Sequence, residues 1–156
     1  MKLFFYNMII GRIGIAEENN SITNLFFESY VAPQDVERRE TTIIREASRQ
    51  LEAYFAGDLK SFSVPLAPCG TDFMRTVWKN LREVPYGETA SYKDIAIASG
   101  NPKAFRAVGL ANNRNPIPIF IPCHRIIGAD GKLVGYRGGL EVKKILLDLE
   151  KRHGTV

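Results

Sequence analysis

Cysteine and histidine are scarce in this chain, with two of each among 156 residues. Two cysteines make neither a disulfide framework nor a zinc ligand set. Residues 1–65 contain neither residue type, so that half supplies no thiolate or imidazole metal site. Long apolar runs are also missing, and no stretch is long enough to cross a bilayer. The start, Met1-Lys2-Leu3-Phe4-Phe5, has a slight look of a secretion signal. Asn7 and Arg12 interrupt it, however, and no small-residue cleavage site follows cleanly. A cytoplasmic location is therefore expected, and in a reducing compartment a Cys69–Cys123 disulfide is not.

What is present fits one domain or two small ones. The apolar share, 45 %, is ample for a core. Net charge is +4, but unevenly spread: residues 1–65 carry seven Lys/Arg against nine Asp/Glu, and residues 66–156 carry fourteen against eight. A basic second half favours a polyanionic partner, of which nucleic acid is the usual one, although a solvated surface has the same composition. Residues 3–10, 13–16 and 22–30 read as three short strands of an antiparallel meander, with a polar turn at Glu17–Ser21. Asp35–Glu40 reads as a charged loop. Thr41–Phe55 reads as a helix with Ile44, Ala47, Leu51 and Phe55 on one stripe. Phe62, Val64 and Leu66 alternate like a last strand. The Pro- and Gly-rich stretch from Pro65 to Gly70 marks a boundary between domains 1–65 and 66–156. Cys69 lies in it with no activating neighbour, and reads as a linker residue.

Beyond the boundary, Thr71 caps a helix carrying Phe73, Val77, Trp78 and Leu81. Ser91 caps Tyr92–Ser99, with Asp94 in capping-box position. Gly100 then fits a helix stop, and Pro102 the first position of a second helix. Two short helices about a tight turn in a basic domain suggest helix-turn-helix, a pattern many helical hairpins share. A final helix from Leu140 carries Val142, Ile145, Leu146 and Leu149 at helical spacing. Lys143, Leu146 and Glu150 share a face, so Glu150 borders that stripe within reach of the interior, although the residues alone favour a solvated carboxylate.

Between these helices lies the stretch with chemistry, Asn115-Pro116-Ile117-Pro118-Ile119-Phe120-Ile121-Pro122-Cys123-His124-Arg125. Three prolines make it neither a helix nor an interior strand. Cys123 and His124 cooperate only if the chain turns just after Pro122, since neighbours in an extended chain face opposite ways. An imidazole or helix N-terminus beside a thiol lowers its pKa toward a reactive thiolate. The plain alternative is a buried, inert cysteine.

Pro122-Cys123-His124-Arg125 with Asn115-Pro116 resembles the active-site stretch of the O6-alkylguanine-DNA alkyltransferases, also called methylated-DNA–protein-cysteine methyltransferases. The likeness runs from about Gly70 to Glu150. It passes through Gly70-Thr71-Asp72-Phe73, Pro85-Tyr86-Gly87-Glu88, Ser91-Tyr92, Asn101-Pro102-Lys103-Ala104, Arg106-Ala107-Val108-Gly109 and Gly135-Tyr136 to Gly138-Gly139-Leu140. The resemblance implies an α+β chain: a small N-terminal antiparallel sheet with a helix, ribonuclease H-like, then a mostly helical domain with helix-turn-helix and active-site cysteine. It implies stoichiometric, irreversible transfer of a methyl or other alkyl group from O6-alkylguanine in duplex DNA to Cys123, after the base is flipped out of the stack, with O4-alkylthymine open as a second substrate. His124 would deprotonate Cys123 through an ordered water, and Glu150 would orient His124. Tyr92 would help rotate the nucleotide and donate to the leaving guanine, and Asn115 would brace the turn. Arg106 would fill the vacated stack. The small Ala107 and Gly109 would let the second helix approach the minor groove, with Arg114 also on DNA. Tyr136, Arg137, Lys143 and Ile126 would line the base pocket, where the family often has a residue smaller than Arg137, and a surface role is equally open to Lys143.

Some members carry zinc in the first domain, and this sequence lacks the ligands. No metal, cofactor or membrane is implied, and the protein would act as a monomer or as several copies together on DNA, in the cytoplasm or nucleoid, or in a nucleus. Three alternatives remain at this stage: a lesion-binding protein that transfers nothing, a helix-turn-helix regulator with a merely buried Cys123, and a cysteine hydrolase. The glycine-rich signatures of the last are absent, and His153 sits near the chain end.

Overall fold

A computed structural model describes residues 1–154 of the chain. It divides into two compact units, 1–68 and 69–156.

In the first unit, β1 (Lys2–Met8), β2 (Gly11–Glu18) and β3 (Ser21–Phe26) form an antiparallel meander. Asn19 and Asn20 join β2 to β3 with φ of 52° and 63°. Two left-handed residues make the turn whose twist suits a two-residue hairpin, and asparagine tolerates that region better than most residues. A short β4 (Glu37–Arg38) then adds beside β1 in parallel, giving a mixed sheet of order β3-β2-β1-β4. This segment was expected as a charged loop; backbone pairing with β1 holds it extended while both its side chains stay exposed. The expected strand at Phe62–Leu66 reduces to a single bridge between Ile22 and Leu66. α1 (Thr42–Phe55) covers one face of the sheet, its start fixed by the Thr41 hydroxyl accepting from the Ile44 amide. Ile44, Ala47, Leu51 and Tyr54 meet Leu3, Ile13, Ile15 and Ile22 in a dry core.

The second unit is mostly helical. α2 (Asp72–Arg82) is capped by Thr71 and buries Val77, Trp78 and Leu81. The Trp78 indole donates to the Ala111 carbonyl at 2.8 Å, which ties α2 to the helix-turn-helix. β5 (Ala90–Ser91) leads into α3 (Tyr92–Ala98), whose N-terminus is closed by a complete capping box of Ser91 and Asp94. α4 (Phe105–Asn113) begins three residues later than Pro102 suggests. Asn101 accounts for the delay: its carboxamide oxygen accepts from the Lys103 amide, holding 101–104 as a turn. β6 (Ile126–Ile127) pairs in parallel with β5, Ala90 against Ile126 and Ser91 against Ile127. That short ladder brings the first residue of α3 beside the chain that has just left Cys123. α5 (Leu140–Gly154) closes the unit. Its buried stripe is Lys143, Leu146, Leu149 and Glu150, rotated from the expected one: Ile145 is 39 % exposed. The rotation points two charged side chains inward, toward the active-site turn.

Candidate active site

The turn after Pro122 forms as the sequence requires. Pro122 sits at φ −80° and ψ 63°, and the Cys123 amide donates to the Ile121 carbonyl at 2.8 Å. This is an inverse γ-turn, compatible with the fixed φ of proline. The Arg125 amide then donates to the Pro122 carbonyl, closing a single 3-10 turn over Cys123–Arg125. Asn115 braces the approach. Its carboxamide donates to the Ile121 carbonyl at 2.8 Å and accepts from the Ile117 amide at 3.0 Å. Within this clamp Ile119 adopts φ 74°, a left-handed conformation strained for a β-branched residue. Such strain costs about 1–3 kcal/mol and persists only where surrounding bonds and packing impose it.

Cys123, His124 and Arg125 are all buried, and so is Glu150. His124 Nε2 lies 2.6 Å from Glu150 Oε2. Arg125 grips the same carboxylate twice, Nε to Oε1 at 2.8 Å and a guanidinium NH2 to Oε2 at 3.1 Å, and donates its remaining arm to the Val84 carbonyl at 2.7 Å. The Gly87 amide supplies one more donor to Oε1 at 3.2 Å. The solvated Glu150 expected from the residues alone is thus corrected: the carboxylate is buried because four donors meet it. Burial by itself would raise its pKa, but the hydrogen bonds from His124 and Arg125 and the charge of Arg125 outweigh that and hold it at about 2. Burial pushes His124 down despite its Glu150 bond, so the imidazole stays neutral. With Nε2–H directed at the carboxylate, Nδ1 carries the lone pair that can take a proton.

Burial also dominates the Cys123 thiol, raising it to about 11; the Asn115 bond and the positive charges of Lys143 and Arg137 act the other way. The resting thiol is therefore protonated near neutral pH. A general thiol reagent such as iodoacetamide at pH 7.5 is expected to label exposed Cys69 at least about tenfold faster than Cys123. Peptide mapping of the labelled protein checks this, and preferential labelling of Cys123 would contradict it.

The remaining expected residues fall into three groups. Tyr92 opens α3 next to the β5–β6 ladder, and its hydroxyl pKa is raised by burial and by the charge of Cys123, which places the two in one electrostatic neighbourhood. Lys143 is fully buried, with Nζ donating to the carbonyls of Ile126 (2.6 Å) and Val134 (2.7 Å). It therefore pins the 128–139 loop to buried Ile126, and the surface role open to it in sequence is excluded. Tyr136 is half-buried on that loop, and Arg137 is exposed but close enough for its charge to act on Cys123. Arg106 and Ala107 stand exposed on α4, and Arg114 is exposed at its C-terminal cap. Gly109 faces the Tyr92 ring; a Cβ there would stand 3.8 Å from it.

Arg125 received no role in the sequence beyond membership of the motif. The signal was present: a cation inside an apolar, proline-punctuated run needs a buried counter-charge. Nothing in the sequence says that the counter-charge lies 25 residues on. Among the described residues, no cluster of three or more His, Cys, Asp or Glu side chains is arranged to hold a metal ion.

The fold and site define a class of protein: a helix-turn-helix unit that carries one buried thiol, a neutral imidazole and an oriented carboxylate. The chain belongs to the 6-O-methylguanine DNA methyltransferase family. Residues 1–68 match the family's ribonuclease-like domain and residues 72–152 its DNA binding domain. Among similar proteins, the methylated-DNA–protein-cysteine methyltransferase of Methanosarcina barkeri is 52 % identical, covering 96 % of this chain and 98 % of that one. The constitutive one of Bacillus subtilis is 50 % identical over 91 % and 90 %. The crystal structure of Mycobacterium tuberculosis OGT in complex with DNA superposes with a TM-score of 0.93 at 45 % identity, covering 98 % of this chain and 94 % of that one.

Proposed function

We propose that this protein repairs DNA by moving the alkyl group of O6-alkylguanine in duplex DNA onto Cys123, once per chain. The observation that carries the proposal is the buried Cys123 in a turn whose next residue, His124, is neutral and held by Glu150 at 2.6 Å. A stacked base cannot present its alkyl carbon in line with a buried thiol, so the nucleotide must leave the helix. The exposure of Arg106 on α4 supports its filling the gap, and the small Ala107 and Gly109 support a close approach of α4 to the groove.

In the chemical step the sulfur–carbon bond forms as the carbon–O6 bond breaks. The thiol proton passes to His124, and the departing guanine is neutralised by a proton returned through the site. Tyr92, kept protonated by burial, donates to the charge that develops on the base. Asn115 and Lys143 position the turn and the loop. The thioether product is stable, and the other cysteine, Cys69, is exposed rather than in the buried cluster, so turnover ends there. One chain per lesion suffices for the reaction, and it takes place in whichever compartment holds the DNA.

The test is the intact mass of the protein after incubation with duplex DNA containing one O6-methylguanine. A gain of one methyl group per chain, mapped to Cys123, is expected. Tight lesion binding without mass gain would reassign the chain to a non-transferring lesion binder, and no preference for the lesion would overturn the reading altogether.

A further inference from the structure

The start of α4 carries an aromatic side chain that neither the core nor the chemistry just described uses. Phe105, the first residue of the helix, is 49 % exposed. On a helix, residues three and four positions apart are neighbours on one face. Phe105 and Arg106 thus both stand next to Gly109, and Gly109 is where α4 meets the Tyr92 ring. The phenyl ring and the guanidinium therefore flank the same edge of the site. The segment around it is cationic: residues 95–114 hold Lys103, Arg106 and Arg114 and no Asp or Glu. A half-exposed ring in a segment with exposed cations and no Asp or Glu is complementary to the apolar base edges and charged phosphates of duplex DNA.

We propose that Phe105 is a second wedge: its ring enters the minor groove beside Arg106 and levers apart the base step next to the flipped nucleotide. Apolar side chains inserted at a step unstack it and bend the duplex toward the major groove. Arg106 fills the hole in the stack, and Phe105 lowers the cost of opening it. Phe105 is a positioning residue, since it does not touch the reacting atoms. The inference rests on the base-flipping reading above.

The experiment compares wild type with Phe105→Ala and Phe105→Tyr in the full chain, after thermal melting shows all three folded. Single-turnover methyl transfer is followed at saturating protein on two substrates. One is a duplex with O6-methylguanine next to 2-aminopurine; the other is O6-methylguanine as the free base, which needs no flipping. For Phe105→Ala the duplex rate is expected to fall about tenfold, a loss of transition-state stabilisation. The 2-aminopurine fluorescence rise should shrink, and the free-base rate should stay unchanged. Phe105→Tyr, which keeps a ring, should restore most of the duplex rate. An unchanged duplex rate overturns the wedge. So does an equal fall on both substrates, which would make the ring a prop for the site, and so does weaker duplex affinity with an intact saturated rate, which would make it a mere contact. Failure of the wild type to transfer from either substrate would instead sink the underlying reading of Cys123, and the wedge with it.

Discussion

Replacing Cys123 by alanine is expected to abolish alkyl transfer while leaving the lesion-containing duplex bound. The loss should exceed about 10⁴-fold, as for removal of a nucleophile that acts as a unit with its base. The fold should survive, because trimming one buried thiol removes little apolar surface, about 1 kcal/mol of burial. Affinity should stay within about threefold, since phosphate contacts carry most DNA affinity and Cys123 is buried away from exposed Arg106 and Arg114. Cys123→Ser is the sharper variant. It keeps a nucleophilic atom beside His124 but exchanges a thiol for a hydroxyl, which is far harder to ionise and a poorer attacker of an alkyl carbon. Mass spectrometry for transfer and electrophoretic mobility for binding read the two effects separately. Residual transfer onto Cys69 in Cys123→Ala would show that the exposed thiol is a competent acceptor and that the buried network is dispensable. Loss of binding together with transfer would show that the substitution had damaged the fold.

The local devices of this fold are legible in the sequence because each is a short-range bargain between neighbours. Ser91 and Asp94 make their capping box three residues apart, Thr41 and Thr71 close their own helices, and the Asn19-Asn20 turn needs only residues that tolerate positive φ. The bend after Pro122 follows from one proline and the need for Cys123 and His124 to share a site. What stays hidden depends on partners far along the chain. Glu150 reads as a solvated carboxylate until Gly87, His124 and Arg125 arrive from 63, 26 and 25 residues away. Lys143 looks like any helix-surface lysine until the carbonyls of Ile126 and Val134 are placed around its ammonium. The apolar stripe of α5 misleads for the same reason. Helical spacing in sequence assumes that burial selects apolar side chains, whereas here the face turned inward is the one that delivers a carboxylate and an ammonium. The family resemblance names Glu150 and Lys143 among its site residues, and the structure shows the bonds that hold each of them inside.

Removing the Glu150 carboxylate is expected to have the largest effect on stability. In Glu150→Ala, the buried Arg125 guanidinium keeps the Val84 carbonyl and the Tyr86 ring but no counter-charge from Glu150, His124 loses its orienting partner, and the Gly87 amide loses its acceptor. Breaking a buried pair from one side costs about 3–5 kcal/mol, because the remaining charge stays buried without compensation. At about 4–8 °C per kcal/mol for a unit of this size, the second unit should melt more than about 12 °C lower. The pH dependence separates the charge from mere packing. The folded pKa of Glu150, about 2, lies below its unfolded value, so its contribution is complete above the ordinary carboxylate pKa and is lost as pH falls through 2. The stability gap between wild type and the isosteric Glu150→Gln should therefore be full at pH 7 and close between about pH 4.5 and 2. His124, depressed by burial, adds a separate acid loss on the way down from about pH 6.5, since the unfolded chain takes up that proton first. That loss should shift in Glu150→Gln, where no carboxylate faces the imidazole. Urea unfolding at a series of pH values measures both terms. A gap that stays constant from pH 7 to pH 3 would mean that Glu150 stabilises the unit by shape alone, and that the Arg125–Glu150–His124 array is not held together by its charge.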